Sequence, residues 1–326
     1  MEPHTLDILD RKLLHALQLD GRAPFSRIAE ILGVSDQTIA RRFRKLRTTA
    51  GLRVLGVTDE RLLGRQTWIA RLCCTPDVAE QLAKALARRS DISYIDLISG
   101  GTEVLCAMKP RSLRERDELL FDRLQRTPRV ISVSAHCLLH SFYGGPGPRG
   151  WLEKTQALDP DQEAALCPAR VDSTPTAVSL DEADEALIAV LRRDGRATFS
   201  ELQSSTGQSE SAVKRRLEHL LATGVLYFHV QHDSESLGHG VRAMLWLTVT
   251  PSAFDTVGQA LAEHPEVRFA AATTGQANLV ASVVNSSTGE LYTYLSEKIG
   301  VLDGVQTVET ALTLRRVKQL TYEPRR

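Results

Sequence analysis

The sequence predicts an α+β chain built as two tandem units, each a block of three helices followed by a strand-rich block in the order βαββαβ. Two observations carry this. The first is internal repetition. Residues 6–52 realign on 180–226 at a constant shift of 174 without a gap, and 18 of the 47 pairs are identical, against roughly one in fifteen from average composition alone. The run Asp20-Gly21-Arg22-Ala23-x-Phe25-Ser26 returns as Asp194-Gly195-Arg196-Ala197-x-Phe199-Ser200. A shift of 175 then carries Thr75-Pro76 onto Thr250-Pro251, Gly100 onto Gly275 and Val130 onto Val305. The second observation is a switch, within each unit, from apolar residues at helical spacing to strand-like apolar runs. Each unit is domain-sized, and such a duplication makes a pseudo-dimer from one chain.

The elements follow in order. Leu6, Leu9, Leu13, Leu14 and Leu17 recur at helical spacing, giving an amphipathic helix that ends near Asp20-Gly21. Ser26 is placed to cap a second helix carrying Ile28, Ile31 and Leu32, which Gly33 terminates as a left-handed C-cap. Ser35 caps a third helix with Ile39, Phe43 and Leu46 inward. Two helices joined by Leu32-Gly33-Val34-Ser35 make a helix-turn-helix of the winged type. The second copy reads Thr206-Gly207-Gln208-Ser209, with Val213, Leu217 and Leu220 inward. Val54 and Val57, and later residues 227–230, form a short connecting strand.

Beyond it, strands are expected at 67–74, 92–98, 103–108 and 130–139 with helices at 77–89 and 113–125. The second copy gives strands at 242–249, 267–274, 278–284 and 305–314 with helices at 253–263 and 289–298. This βαββαβ order is the ferredoxin-like split unit, with helices on one face of an antiparallel sheet. The domain boundaries are therefore 1–58 and 62–141 for the first unit and 179–232 and 237–320 for the second. A Gly/Pro-rich and polar linker without an apolar face is expected over 142–178.

Composition excludes several classes. Hydrophobic content of 42% and charged content of 25% are those of an ordinary soluble protein. No apolar run approaches membrane-spanning length and no signal-peptide pattern opens the chain, so a cytoplasmic protein without a membrane partner is expected. The five cysteines lack CxxC spacing, and four of them sit in apolar strand-like runs, which reads as free thiols. Lys+Arg and Asp+Glu are equal at 40 each, so the information lies in placement. Residues 35–48 hold Arg41, Arg42, Arg44, Lys45 and Arg47 against Asp36 alone, a net +4; the matching 209–222 hold Lys214, Arg215 and Arg216 against Glu210 and Glu218, a net +1. The alternative is a solvated helix face.

A motif Leu-Asp-x-x-Asp-x-x-Leu-Leu at residues 6–14, its echo at 180–188, Asp-Gly-Arg-Ala, Gly-x-Ser opening the third helix and the Arg-Arg pairs at 41–42 and 215–216, followed by βαββαβ, resemble the leucine-responsive regulator/asparagine-operon regulator (Lrp/AsnC) family. The resemblance covers nearly all of the chain except the linker. It implies a transcriptional regulator that binds duplex DNA and dimerises through its βαββαβ sheets. With two units in one chain, the two sheets are expected to pair intramolecularly, and higher homo-oligomers can build on that pair. The third helix would enter the major groove, its N-terminal residues toward bases and its cations toward phosphates.

The DNA-contacting set is then Ser35, Asp36, Gln37, Thr38, Arg41, Arg42, Arg44 and Lys45 in the first copy, and Ser209, Glu210, Ser211, Lys214, Arg215 and Arg216 in the second. Gln37 suits adenine and Arg41 guanine, each bidentate. The family's sheet domain senses small molecules, often amino acids, through Gly-x-x-Asp after its second strand. Here that place reads Gly100-Gly101-Thr102-Glu103 and Gly275-Gln276-Ala277-Asn278. The longer acid in one copy and the neutral amide in the other weaken the case for pairing an α-ammonium.

Two other readings stand beside this one. Sirohaem decarboxylases look similar, and His136 and His140 near the end of the fourth sheet-domain strand favour that enzyme. Their counterparts Ala311 and Arg315 do not repeat the pair. The sequence shows no catalytic constellation, metal-ligand spacing or phosphate loop, so a non-enzyme without cofactor is expected. The other reading is a non-DNA-binding sensor or assembly module in which one or both helix-turn-helix units are degenerate, the weak charge of the second pointing to that one first.

Overall fold

A computed structural model describes residues 6–124, 127–145, 154, 157–167, 178–232 and 240–321. The first copy comprises α1 (Ile8–Leu19), α2 (Phe25–Leu32), α3 (Asp36–Thr49), β1 (Arg53–Thr58), β2 (Trp68–Cys74), α4 (Pro76–Ala87), β3 (Ile92–Ile98), β4 (Glu103–Met108), α5 (Leu113–Asp117) and β5 (Val130–Tyr143). Helix α6 (Pro160–Leu166) lies between the copies. The second copy comprises α7 (Glu182–Leu191), α8 (Phe199–Thr206), α9 (Glu210–Ala222), β6 (Leu226–Gln231), β7 (Val241–Val249), α10 (Phe254–Glu263), β8 (Val267–Thr273), β9 (Leu279–Asn285), α11 (Thr288–Thr293) and β10 (Val305–Gln319). Helices α5 and α11 each continue as π-helical turns, Glu118–Leu124 and Tyr294–Ile299. The chain divides into two compact units, residues 1–64 with 146–238 and residues 65–145 with 239–326. Each copy thus gives its helical block to one unit and its sheet block to the other.

In the helical unit the repeated acids explain how each copy begins. Asp7 accepts from the Asp10 amide at 2.8 Å while the Asp10 carboxylate accepts from the Asp7 amide; Asp181 and Asp184 make the same reciprocal cap on α7. Gly33 and Gly207 end α2 and α8 at φ 68° and 67°, the left-handed region that a side chain resists. Leu13, Leu14, Leu17, Ile28, Ile39 and Leu46 are fully buried in the first bundle, as are Leu187, Ile188, Leu191, Leu202, Val213 and Leu220 in the second. The short strand after each third helix finds its partner in the other copy: β1 and β6 pair antiparallel from Arg53 opposite Gln231 to Thr58 opposite Leu226.

The expected featureless linker over 142–178 is corrected at both places where that stretch is described in regular structure. Strand β5 runs on to Tyr143, and residues 157–167 hold α6. Asp159 caps it through Gln162, Pro160 sits in its first turn, and Leu158 and Leu166 are buried among α1 and α2. Arg27 donates to the Ala165 carbonyl at 2.6 Å, and the Gln162 amide to that of Ile31 at 3.3 Å. A seven-residue helix with two apolar anchors is too short to show a period.

In the sheet unit eight strands close a barrel in the order β10-β3-β4-β2-β5-β8-β9-β7. It consists of two βαββαβ sheets joined at two seams by their last strands, which run four and five residues beyond the expected ends. Strand β5 pairs with β2 and then, from Leu138, with β8. Strand β10 pairs with β7 and then, from Thr313, with β3. Alternation sorts the side chains. Ala70 and Leu72 face Leu82 and Leu86 of α4, and Leu245 and Leu247 face Val257 and Leu261 of α10, while Ile69, Leu105, Trp246 and Val280 meet inside the barrel. Among the described residues no helix is long and apolar enough to cross a membrane.

Candidate nucleic-acid interface

Ser35 holds α3 at its first turn, its hydroxyl accepting from the Thr38 amide at 3.2 Å. With Ile39, Phe43 and Leu46 buried, the opposite face of α3 presents Asp36, Gln37, Arg41, Arg44, Lys45 and Arg47, all exposed. Thr38 is half-buried, its hydroxyl 2.9 Å from that of Ser35. On α9 the matching face carries Glu210, Ser211, Lys214, Arg215, Glu218 and His219, all exposed; Ser209 makes no side-chain cap and lies 3.2 Å from the Ser211 hydroxyl. The cationic bias of the first head is therefore a property of its solvent face.

Arg42 and Arg216 do something different from what their sequence context suggests. Arg42 is held by Asp7 and, at 3.0 Å, by Asp10; Arg216 is held by Asp181 at 2.8 Å and Asp184 at 2.6 Å. Each guanidinium braces the third helix against the cap of the first, and the Asp184 amide together with Arg216 holds the Asp181 carboxyl below its usual range. The acids of Leu-Asp-x-x-Asp thus already pair with these two arginines, which the sequence places in the DNA-contacting set, and tie the third helix to the first.

The repeated Asp-Gly-Arg-Ala was not legible as what it is, a reciprocal clasp. Arg22 donates to the Gly195 and Ala197 carbonyls at 2.6 and 2.9 Å, and Arg196 returns the bonds to Gly21 and Ala23 at 2.7 and 3.0 Å. Arg22 lies 5.5 Å over the Phe199 ring and Arg196 4.6 Å over Phe25. Burial pushes both guanidinium groups below the ordinary arginine value. The glycines let the β1–β6 ribbon approach: a Cβ at Gly21 would fall 2.6 Å from the Phe228 Cβ, and one at Gly195 2.9 Å from the Val54 carbonyl oxygen. The signal was the presence of the same run in both copies, since a clasp between copies needs the same parts twice.

The expected effector turns lie at the strand ends of the barrel. Gly100, Gly101 and Gly275 have φ of 71°, 84° and 113°. Glu103 is buried, 4% exposed, and its carboxylate is taken by Arg71 and, at 2.9 Å, by the Ser99 hydroxyl. Thr102 turns its hydroxyl to the Ser99 carbonyl at 2.8 Å. Asn278 pairs like a strand edge with the amide and carbonyl of Val249 at 2.9 and 2.8 Å; the carbonyls of Gln276 and Ala277 accept from Thr248 and Thr273. Glu103 is thus already paired, and Asn278 already bonded.

His136 and His140 have separate surroundings. The His136 ring lies 5.3 Å from Trp246 and its Nδ1–H donates to the Thr274 carbonyl at 2.8 Å, whereas His140 stacks edge-on Phe142 at 4.7 Å. All five cysteines are free; Cys74, Cys106 and Cys137 are buried, and burial pushes the Cys106 thiol up to about 12. Among the described residues no cluster of three or more His, Cys, Asp or Glu is placed to hold a metal ion.

Paired helix-turn-helix bundles with an exposed cationic third helix, in a chain that also holds a pair of βαββαβ sheets, define a DNA-binding regulator with a ligand-binding-type domain. The family model for the AsnC-type helix-turn-helix domain matches residues 6–47 and again 180–221, and that for the Lrp/AsnC ligand binding domain matches 242–322. The chain belongs to the Lrp/AsnC family and is a sequence-specific DNA-binding transcriptional regulator of that type. It is 32% identical over 148 residues to the HTH-type transcriptional regulator FL11 of Pyrococcus horikoshii, and 28% identical over 141 residues to the regulator LrpA of the same organism. These alignments cover 45% and 43% of this chain but 97% and 99% of the relatives, so one relative is about one copy long. Across 96% of its length the chain shares the fold of a sirohaem decarboxylase, NirDL, of which 93% is covered, with a TM-score of 0.64 at 16% identity.

Proposed function

We propose that the two heads form one unequal DNA reader within a single chain. The observation that carries this is the exposed face of α3, with Arg41, Arg44, Lys45 and Arg47 against Asp36, set beside an α9 whose matching face has Glu218 where α3 has Arg44. Gln37 and Arg41 contact base edges. Arg44 and Lys45 contact phosphate, with Ser35, Asp36 and Thr38 at the groove floor. Ser209, Glu210, Ser211, Lys214 and Arg215 occupy the same places more weakly. Binding to the chain's own promoter should fall steeply with salt, because releasing the counterions condensed on DNA gains less entropy as the bulk salt concentration rises. Undetectable or salt-insensitive binding at micromolar protein in a gel-shift assay would remove this reading.

A small-metabolite response at the turns 100–103 and 275–278 belongs to the same proposal, with amino acids as the ligands to try. Because Arg71 already neutralises Glu103, recognition there would rest on backbone amides more than on an acid meeting an ammonium. Thermal shifts with the twenty amino acids at millimolar concentration test it, and a flat panel removes amino acids as effectors.

Pairing of the copies in cis and further assembly of whole chains in the cytoplasm complete the reading, with a non-enzymatic role. The fold shared with a sirohaem decarboxylase keeps one alternative in view. A shifted tetrapyrrole absorption band followed by loss of carbon dioxide would establish that enzyme instead.

A further inference from the structure

We propose that the barrel is built to accept only unlike halves: its seams and interior are charged so that copy one fits copy two and neither fits a second copy of itself. The argument rests on positions that the shift of 175 makes equivalent. At the β10–β3 seam Arg316 stands opposite Asp96 and forms a two-pronged ion pair, 2.8 and 2.7 Å, with Asp96 4% exposed. The equivalent positions at the β5–β8 seam are Ser141 opposite Ala271. At these equivalent positions one seam carries an ion pair and the other carries no charge.

Pairing copy one with another copy one would set Asp96 against Ser141 at both seams, burying two carboxylates without a cation. Pairing copy two with itself would set Arg316 against Ala271 twice. A buried ion left without its partner is far costlier than the intact pair is stabilising, so the device acts mainly against the wrong pairing.

The barrel interior repeats this logic with different chemistry. Arg71 and Trp246 are equivalent positions that meet each other, the guanidinium 4.9 Å over the ring. Arg71 is clamped by Glu103 of its own copy and by Glu309 of the other, at 2.6 and 3.1 Å. The position matching Glu309 is Ser134, and that matching Glu103 is Asn278. A like pair of first copies would bring two arginines together with the Glu309 contact gone; a like pair of second copies would bring two tryptophans together with no cation between them. The complement of each half is the other half of the same chain, and every assembled unit carries one α3 and one α9.

The test uses two full-length chains with different tags. Asp96→Arg faces Arg316 with a like charge, and Arg316→Asp faces Asp96 likewise. Each alone should melt about 10 °C lower than the parent, and the double swap Asp96→Arg/Arg316→Asp in one chain should recover most of that loss. Co-expressed, the two single variants can exchange halves and restore both seams in trans. They should co-purify as a swapped pair far above the parent background, whereas each variant mixed with its own differently tagged copy should not. Like chains exchanging as freely as complementary ones, or a double swap that recovers nothing, would overturn the proposal.

Discussion

The clasp between the two helix-turn-helix blocks and the interior of the barrel come from the same duplication, and they have treated its symmetry in opposite ways. In the clasp Arg22 and Arg196 reach to matching carbonyls within 0.1 Å of the same distances, over matching phenylalanines. In the barrel Arg71 meets Trp246, and Glu309 has only Ser134 as its counterpart. The difference teaches where a fused pair is able to change. A backbone-directed clasp tolerates any partner that carries the same four residues, so drift there brings only loss. A side-chain-directed interior can become complementary as soon as one half changes and the other answers. The same division runs through the heads: their bundles and caps coincide, and their solvent faces do not.

The largest expected effect tests the symmetry of the clasp. Arg22→Ala removes two charge-assisted hydrogen bonds and a ring contact and leaves two carbonyls without that donor, a loss of about 3 kcal/mol. Arg196→Ala should cost the same within experimental error, seen as equal falls in denaturant midpoint. Clearly unequal losses would mean that the clasp, too, has become one-sided.

Next comes a pH effect confined to the first copy. His15 is fully buried, and burial holds its pKa down to about 4, from 6.5 in the unfolded chain; Ala189 fills the equivalent place in the second copy. Between those values the unfolded state binds the proton and the folded state does not, so stability rises with pH through that window. As pH falls from 6.5 to 4 the loss approaches about 3 kcal/mol, with Glu163, 3.6 Å from the ring, able to soften it. His15→Phe should flatten the dependence of the melting temperature on pH over that range. An unchanged slope would place the acid sensitivity in other groups.

The third effect compares the heads directly. Arg41→Ala with Arg44→Ala should weaken promoter binding by roughly 2 kcal/mol, with relaxed preference at one base pair, while Lys214→Ala with Arg215→Ala should cost less than half of that. Equal losses at one salt concentration would show that the charge difference between the faces has no bearing on DNA.

Much of this architecture could be read from residues alone because it is written twice and in strong periodicities. The bundles, the βαββαβ order and the cationic face of α3 are of that kind. What escaped was long-range and side-chain-specific. The β1–β6 ribbon joins residues more than 160 apart; each short strand is marked by its own apolar run, but nothing local marks the other copy as its partner. Helix α6 rests on Leu158 and Leu166, two anchors in a polar stretch. Arg42 looked like a phosphate contact because it stands in a run of cations; only the fold shows that Asp7 and Asp10 come to it from α1. Glu103 reads as a ligand-binding acid from its turn alone; that Arg71 holds both it and Glu309, 238 residues further along the chain, is visible only in the fold.

The smallest effect, and the sharpest for the comparison of heads, comes from Glu218→Arg. Glu218 occupies on α9 the place of Arg44 on α3, exposed in both, so the change alters surface charge with no buried group disturbed. If α9 lies against phosphate, one repulsive charge becomes one attractive one. The salt slope of binding should then steepen by about 1, and affinity should rise several-fold at low salt and less at high salt. The half-site read by α9 should gain, and the operator preferred by the variant should be closer to a perfect palindrome than the parent's. An unchanged affinity and slope would mean that α9 stands off the duplex, leaving α3 as the one reading helix and the second bundle as its clasped support.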